Sequence, residues 1–505
     1  MAARSALIAI LAAVVLVPAP GHAETRPAYG GTLTASLLAA PTTLDPVRAQ
    51  TSAELSVVGL VFDTLYGGGA DHPPRLAAGA PVIVDDGAGH VTATIPIRQG
   101  VLFHDGSPLT ANDVARSLLR LQSSPAGWLL AGVTSIAASD PHTVVMTVTR
   151  SLPVTELLAA PQTAITPGGK PPSGAHVVGS GPFELSSLDY RRHRIVLSAF
   201  DAHFAGRPYV DVLALSWFEH ARDEARRYET GRAHISLRGE TAFSGHAPKY
   251  VTRVLESGAS VLVYVGFGQG HRGLARDIEL RRAVSAAIGR GGLRHIGAGE
   301  AVIPALSPVS PAAGGNIPAA SARVAHPAQA RAHLAKVGQR WPAVANVIAG
   351  KGALTLEIMV DRSRPEDREV AEKLARAIYR IGLGAHIDEV APQTFARRVH
   401  DGACDLYIDH LGLPMIASAQ KAPAYWEVMA AFVAGGDPFA QKAPSTDIDA
   451  LLAAFSQRLP IVPLYHRSIR AHIRGDVRGA AFSPAGRLTQ ADLFLFGHPE
   501  PTRAP

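Results

Sequence analysis

The chain has almost no cysteine: Cys404 is the only one among 505 residues. A single cysteine cannot close an internal disulfide, so the stability of the fold must come from packing. Cys404 lies in an apolar, strand-like run, which favours a small buried side chain over a nucleophile. No C-x-x-C or H-E-x-x-H spacing occurs, which excludes the commonest zinc motifs.

Long apolar runs are also scarce. The run over residues 5–17 follows Arg4 and is too short to span a bilayer comfortably. The small residues around Ala23 match what a signal peptidase reads, so residues 1–23 are predicted to be a cleaved signal peptide. No cysteine follows that point, which argues against a lipoprotein. We therefore expect a periplasmic protein, and an uncleaved membrane anchor is the alternative.

Signals for catalysis and for nucleic-acid binding are missing as well. The formal net charge is +6, and the basic clusters at 191–194 and 222–227 lack interleaved aromatic residues. No G-x-S-x-G sequence occurs. The G-x-G-x-x-G pattern at 268–273 is not followed at once by a helix, so it predicts a glycine-rich turn. We expect no enzyme activity, no cofactor and no nucleic-acid partner.

The most informative segment present is residues 98–114, which predicts a strand end, a tight turn and a helix. Gly106 can take the positive φ that the turn needs, and Thr110 and Asp113 are spaced as a capping box. Apolar residues then recur at helical spacing: Val114, Leu118 and Leu121. Two further helices are predicted over 327–338 and 365–382, because each range opens with Pro and closes on Gly.

Residues 98–114 resemble the signature of the family-5 extracytoplasmic solute-binding proteins, the peptide and nickel group that serves ABC importers. Other landmarks of that family occur in the same order along nearly the whole mature chain: 41–46, 61–66, 178–183 and 277–290. The resemblance implies an α/β fold of the class II, cluster C periplasmic-binding-protein type. In that fold two lobes are joined by crossing strands, and an extra small domain is inserted in lobe I.

The same resemblance implies a division of the chain into domains. Lobe I is expected to comprise 24–79, 169–257 and 463–505, the inserted small domain 80–168, and lobe II 258–462. A ligand would lie between the lobes and favour a closed form. We expect the hinge for closure near Gly181 and Gly258.

Candidate ligand contacts follow from the rule that such clefts are lined by loops leaving the carboxyl ends of strands. From lobe I the candidates are Thr42, Thr43, Leu44, Trp217 and Phe218. From lobe II they are Phe267, Arg362, Arg364, Tyr407, His410, Tyr425 and Trp426. The two arginines are candidates for holding a ligand carboxylate, and Tyr425 with Trp426 for an aromatic wall. An ordinary core or surface role is the alternative for every one of them.

Residues 405–414 depart from the family pattern. Peptide-binding relatives usually carry a Trp and an inner Asp here, and that Asp holds the amino terminus of the peptide. In this chain Leu411 replaces the Trp, and Pro414 stands where the Asp is expected. A buried ammonium without its carboxylate partner is costly, so a free-amine peptide is not the expected ligand unless Asp409 and His410 compensate.

We therefore predict a monomeric solute-binding protein that captures a small peptide-like or other polar molecule and delivers it to an ABC permease in the inner membrane. A ligand sensor for a membrane receptor, a carrier of a metal chelate and a secreted hydrolase are the alternatives. Two histidine pairs are candidates for direct metal binding because imidazole suits nickel, copper and zinc: His466 with His472, and His400 with His410.

Overall fold

The computed structural model describes residues 29–49, 51–68, 71–85, 87, 90–124, 126–130, 132–148, 154–173, 177–237, 248–249, 252–259, 261–268, 273–294, 296, 302–309, 324–362, 364–412, 448–482, 488–489 and 492–495. The helices are α1 Ser52–Val61, α2 Ala111–Gln122, α3 Val154–Leu157, α4 Ala221–Glu229, α5 Ile278–Ala287, α6 Pro327–Arg340, α7 Pro342–Ile348, α8 Pro365–Arg380, α9 Pro392–His400 and α10 Ile448–Arg458. The strands are β1 Thr32–Ser36, β2 Val82–Asp85, β3 Val91–Pro96, β4 Val133–Asp140, β5 Thr143–Val148, β6 Phe183–Asp189, β7 Arg194–Ala199, β8 Val212–Ser216, β9 Ile235–Ser236, β10 Thr252–Glu256, β11 Val261–Phe267, β12 Val302–Pro304, β13 Thr355–Asp361, β14 Gly384–Val390, β15 Leu406–Gly412, β16 Val462–Arg467, β17 Arg470–Arg474, β18 Val477–Arg478, β19 Ala481–Phe482, β20 Leu488–Thr489 and β21 Phe494–Leu495. The predicted signal peptide lies outside the described residues, and so do residues 269–272 of the G-x-G-x-x-G pattern.

Three larger sheets organise the described residues, each with its own hydrophobic core. The first has the order β10-β17-β9-β1-β8-β7-β6, the second β12-β16-β11-β15-β13-β14, and the third β2-β3-β5-β4. We call the first sheet with its helices lobe I, the second lobe II and the third the inserted domain. The prediction of an α/β fold with two lobes and an inserted unit is confirmed.

The directions of the lobe II strands determine which strand ends lie together at one edge of the sheet. Strands β15 and β16 both run antiparallel to β11, and β13 runs parallel to β15. The carboxyl ends of β13, β15 and β16 therefore lie at one edge, together with the first residue of β11. In the described residues the chain passes between the lobes at 257–259 and at 468–469, and both stretches join the lobe II sheet at this edge. We call it the interlobe edge.

Residues 463–467 differ from the expected division, which assigns them to lobe I. They belong to β16, which pairs with β11 and β12 in the lobe II sheet, so the chain leaves lobe II only after Arg467. The short connection to β17 then returns it to lobe I. We propose the expected division of the chain with one change: the last piece of lobe I begins at residue 468 instead of residue 463.

The helix predicted from the signature segment is present as α2. The Asp113 carboxylate accepts hydrogen bonds from the backbone N–H and hydroxyl of Thr110 at 2.8 and 2.7 Å, and Gly106 has a φ of 80°. The predicted apolar face is fully buried in the core of the inserted domain: Val114, Leu118 and Leu121. The sequence motif is therefore a folding signal of the inserted domain.

The two proline-initiated helices are confirmed as α6 and α8, but one of them ends later than expected. Gly382 follows α8 with a φ of 99°, as a helix stop requires. Gly338 instead lies inside α6, where a Cβ would come within 3.1 Å of Ile348 and 3.4 Å of Ala345. The glycine there allows α6 to pack closely on α7.

His104 joins the inserted domain to lobe I through the return segment at 178–183. Its Nδ1 accepts the Gly179 N–H at 3.2 Å, and its Nε2–H donates to the Gly181 carbonyl at 3.0 Å, so the ring is neutral. A Cβ on Gly181 would lie 2.5 Å from the Val61 carbonyl carbon. Gly181 is therefore packed tightly on α1 at the point where the chain returns from the inserted domain to lobe I, and the expected hinge between the lobes does not lie there.

Two buried carboxylates lie close to the same junction. Asp45, in the loop after β1, accepts from Arg120 of α2 at 2.9 Å through both of its oxygens, and this pair joins lobe I to the inserted domain. Asp63 accepts from Arg75 at 2.7 Å and lies 3.2 Å from His203, and all three of these residues belong to lobe I. The Asp45–Arg120 pair is largely shielded from water, so it holds the inserted domain on lobe I more firmly than a surface pair would.

Acid should weaken this junction through His104. Burial lowers the pKa of His104, while the Gly181 carbonyl and Asp63 partly oppose that effect. Because its pKa is lower in the folded than in the unfolded state, where it is about 6.5, its contribution is complete above about pH 6.5 and is lost as the pH falls below it. We expect His104→Gln to melt at a lower temperature at pH 7.5 and to lose less further stability than wild type between pH 7 and pH 5.

Thermal unfolding followed by circular dichroism across that pH range measures the effect. His400→Gln is the matched control, because His400 is exposed at the end of α9 and should leave the pH dependence unchanged. An identical loss of melting temperature in His104→Gln and wild type would contradict the neutral, buried role of His104.

Candidate functional site

The interlobe edge of lobe II carries a cluster of charged side chains at the turn from β13 into α8. Asp361 ends the strand, and Pro365 occupies the first turn of the helix. Glu366 and Asp367 follow in that turn, where the helix dipole favours negative charge. The strand-to-helix turn therefore places three carboxylates close together at the edge that faces the other lobe.

Arg364 is the centre of this cluster and is itself buried, with 8% of its surface exposed. Its Nη1 donates to Asp409 at 2.7 Å, and its Nε lies 3.3 Å from Asp367 and 3.5 Å from Asp361. The guanidinium also lies over the ring of Phe395, 5.1 Å from its centroid. Burial opposes the charge, but the carboxylates of Asp409, Asp367 and Asp361 outweigh it and raise the pKa of Arg364.

His410 connects this group to a second arginine. Its Nε2–H donates to Asp367 at 2.6 Å, and its Nδ1 faces an Nη2–H of Arg467 at 3.5 Å. Arg467 in turn donates to Glu366 at 3.2 Å. Only 11% of the His410 side chain and 19% of the Asp409 side chain is exposed, so these two are the most accessible members of a network held mainly by internal bonds.

Two tyrosines extend the network into the sheet. The Tyr264 hydroxyl hydrogen-bonds the Asp409 carboxylate, and Tyr407 hydrogen-bonds Tyr264. Burial raises the pKa of both phenols, so they stay protonated. The Tyr407 ring lies where a Cβ on Gly266 would be, 2.0 Å from that position, which explains a glycine in the middle of β11. Both tyrosines thereby fix the orientation of Asp409.

The stretches that connect the lobes are bonded to each other. Ser257 donates its N–H to the Ile469 carbonyl at 2.9 Å, and its hydroxyl oxygen accepts the Ile469 N–H at 2.7 Å. Glu256 accepts from the Ser468 hydroxyl at 2.7 Å and pairs with Arg470 at 3.1 Å. The paired stretches form a narrow link between two separately packed bodies, which is the geometry of a hinge.

The facing edge of lobe I holds a buried carboxylate of its own. Glu224 of α4 is fully buried and accepts from the hydroxyls of Ser36 and Ser236 at 2.7 and 2.6 Å. The Ser36 oxygen also accepts the Leu237 N–H at 2.8 Å. These bonds fix the carboxyl ends of β1 and β9, from which the lobe I loops leave.

The lobe I candidates lie near that edge but are mostly engaged in the fold. Thr42 donates through its backbone N–H and its hydroxyl to Glu54, and the Thr43 hydroxyl accepts the Asp45 N–H at 3.0 Å. Leu44 and Trp217 belong to the lobe I core, where the Trp217 ring stacks on His193. Phe218, the next residue, is half-buried. A ligand-contact role for all five remains a prediction.

The lobe II candidates divide into two groups. Arg364 and His410 meet in the charged network, and Arg362 lies exposed beside it, with its Nη2 on the Glu389 carbonyl at 3.2 Å. Tyr425 and Trp426 lie outside the described residues. Phe267 and Tyr407 are a correction: both are buried, and they lie toward the opposite edge of the sheet from Asp361.

The reason for that correction is strand direction. The expectation treats the carboxyl end of every strand as facing the cleft, but β11 is antiparallel to its neighbours. Its carboxyl end at Phe267 therefore pairs with Leu406 at the start of β15. Tyr407 lies one residue further along the same strand, opposite Gly266.

Sequence reasoning missed the acidic partners of Arg364 and the role of Arg467. A usable signal was present at residues 361–368, where six acidic or basic side chains follow the apolar run at 354–360 and open a helix. Such alternating charge at the carboxyl end of a parallel strand indicates a polar cluster at a ligand-binding edge. Arg467 gave no local signal, because only the antiparallel pairing of β16 brings it to this edge.

The histidine pairs considered for metal binding do not come together as proposed. His466 belongs to the lobe II sheet and His472 to the lobe I sheet, whereas His400 ends α9 and His410 lies in β15. Burial lowers the pKa of His466 to about 4, and its Nε2 faces the Ser307 carbonyl at 3.2 Å. Within the described ranges, no three His, Cys, Asp or Glu side chains are grouped so as to hold a metal ion.

Among the residues that the structure describes, no helix combines the length and apolar character required to cross a bilayer.

Comparison with known proteins identifies the class to which this arrangement belongs. The sequence profile of the bacterial extracellular solute-binding proteins, family 5 (middle region), matches residues 73–425. The chain therefore belongs to the family-5 extracellular solute-binding proteins, whose members are binding proteins.

The individual relatives share only low sequence identity with this chain. The glutathione-binding protein GsiB of Escherichia coli O157:H7 is 26% identical over 294 residues, which are 54% of each chain. Alignments to the curated relatives cover about a third to a half of their length. Two solved structures share the fold: the oligopeptide-binding protein AppA of Bacillus subtilis with a nonapeptide (17% identity, TM-score 0.75, 93% and 100% of the two chains) and NikA of Staphylococcus aureus with Ni(L-His)2 (17%, 0.72, 92% and 99%).

The buried network predicts a large effect for Arg364. Replacing it with Met leaves three buried carboxylates without their cation, so we expect the free energy of unfolding to fall by about 3–5 kcal/mol. Urea unfolding at pH 7.5 measures this change. Arg362→Gln, two residues earlier but exposed, should change it by less than about 0.5 kcal/mol. Equal effects of the two substitutions would contradict the central position of Arg364.

Proposed function

We propose that this protein captures a small polar solute between lobe I and lobe II and delivers it to an ABC importer. The observation that carries the proposal is the preorganised charged network at the interlobe edge, beside the paired stretches at 256–259 and 468–470. Membership of the family supports the same function. The protein acts as a periplasmic monomer after removal of residues 1–23, binds no nucleic acid and leaves its ligand chemically unchanged.

Capture depends on closure of the lobes. A ligand that bonds to the His410 side of lobe II and to the loops after β1 and β8 of lobe I makes all of its contacts only when the lobes approach. Such a ligand favours the closed state by the difference in its affinity for the two states. The narrow link around Ser257 and Ile469 allows that movement, because the lobes have separate cores.

The charged network also bears on the type of ligand. Asp409 already accepts from Arg364, from Tyr264 and from the His410 N–H at 2.8 Å. Its acceptor capacity is therefore largely used, and it is a poor substitute for the carboxylate missing at Pro414. We infer that the solute does not rely on a free amino terminus, which favours a blocked or non-peptide polar molecule.

A metal chelate is the second candidate, and the fold likeness to NikA with Ni(L-His)2 is its support. In a chelate the ligand supplies the metal donors, so the protein needs only polar contacts. The absence of a metal-holding group among the described residues is compatible with that mode.

Native mass spectrometry of the protein purified from its own periplasm identifies the solute. We expect a co-purifying mass that is released by mild denaturation and is recovered unchanged after long incubation with the protein. A mass with a free amino terminus that binds in the micromolar range or tighter would contradict the inference about ligand type. Conversion of the recovered compound by the protein would overturn the binding function in favour of catalysis.

His410 should be required for affinity. His410→Gln keeps a donor toward Asp367 but changes the most accessible part of the network, so we expect the Kd for the recovered solute to rise about tenfold, equivalent to ~1.4 kcal/mol. Isothermal titration calorimetry measures it. His386→Gln, an exposed residue of β14, is the control and should bind as wild type does. Unchanged affinity in His410→Gln would remove the network from the binding site.

A further inference from the structure

Lobe II has a cavity that is separate from the interlobe edge. It is open to solvent and has a volume of about 920 Å³, between the second half of α8, the turn at 288–293, residues 324–325 and Ala385. Clefts of roughly 300–1,000 Å³ are typical of small-molecule sites in proteins. The size of this cavity is therefore that of a ligand pocket.

The cavity lies far from the charged network along the same helix. Glu366 and Asp367, in the first turn of α8, belong to the interlobe edge, whereas Tyr379 and Arg380 in its last turn line the cavity. An α-helix rises 1.5 Å per residue, so Asp367 and Tyr379 are separated by about 18 Å along the axis. A solute at the interlobe edge does not reach the cavity.

The charged residues that the structure describes around the cavity are all positive. They are Lys373, Arg376 and Arg380, and none of the described lining residues is Asp or Glu. Lys373 is engaged, since its ammonium donates to the Gly292 carbonyl at 2.8 Å and pairs with Glu369 at 3.3 Å. In the described part of the chain, neither Arg376 nor Arg380 has a carboxylate within ion-pair distance of its guanidinium.

The remaining lining is apolar, and part of it is unusually exposed. Ile288 and Leu293 form a buried floor, whereas Tyr379 is 78% exposed and Val324 is 60% exposed. Tyr379 and Arg380 follow Arg376 by three and four positions, so both side chains neighbour the Arg376 guanidinium on the helix surface. The cavity thus combines an apolar floor, an aromatic rim and two adjacent arginines.

We propose that this cavity is a second ligand site, and that it binds an organic anion with an apolar body. The anionic group is held by Arg376 and Arg380, because a guanidinium binds carboxylate, sulfonate or phosphate through paired hydrogen bonds. The apolar body lies against Ile288 and Leu293 and is covered by the Tyr379 ring. Charge complementarity and the size of the cavity favour such a molecule over a cation or a long peptide.

Fluorescence titration of the full mature chain with 1-anilinonaphthalene-8-sulfonate, an aromatic anion, tests the site. We expect one site with a micromolar Kd, competed by decanoate and not by decan-1-ol. In the double variant Arg376→Gln/Arg380→Gln the Kd should rise at least tenfold, and in Tyr379→Ala at least fivefold. Arg397→Gln, an exposed arginine on α9, loses charge on the same lobe and should stay within twofold of wild type.

Several results would overturn the proposal. One is the absence of a saturable site in the wild type, and another is an unchanged Kd in the double variant. Binding lost in His410→Gln but not in the double variant would place the probe at the interlobe edge. Light scattering that reports a dimer dissociated by Tyr379→Ala, with no effect on probe binding, would identify this face as a contact between copies of the chain.

Discussion

The interaction on which the functional edge depends is the burial of one guanidinium among three carboxylates. Without the Arg364 guanidinium, the carboxylates of Asp361, Asp367 and Asp409 would remain buried in a low-dielectric environment without this cation. These ion pairs therefore hold the turn from β13 into α8 against the end of β15. His410 and Arg467 extend the same network to β16, the last strand before the chain returns to lobe I.

The same ion pairs bear on the departure from the expected pattern at residues 405–414. Pro414 stands where the resemblance implies a carboxylate for a peptide amine, and Asp409, five residues earlier, is already bonded to Arg364. The charged groups at this edge are ion-paired with one another within the protein, so the edge is largely preorganised before a ligand arrives. Preorganisation lowers the entropic cost of binding, and it also restricts the solute to molecules whose groups fit the few remaining accessible atoms.

Local signals in the sequence predicted the helices named above. They missed residue positions that depend on pairing between segments far apart in the chain. The capping pair Thr110–Asp113 and the Pro-initiated helices follow from interactions within a few residues, so they could be found without a structure. The position of Phe267 could not, because it depends on the antiparallel direction of β11. Gly338 was misread as a helix stop for a similar reason, since contact with α7 determines its role.

The central claim is that the two lobes close around a solute at the interlobe edge. Small-angle X-ray scattering of the solute-free protein and of the protein saturated with the recovered solute tests this claim most directly. Two bodies joined by the narrow link at Ser257 and Ile469 should approach each other, so the account predicts a smaller radius of gyration in the saturated sample. An unchanged radius of gyration with a solute that demonstrably binds would contradict it.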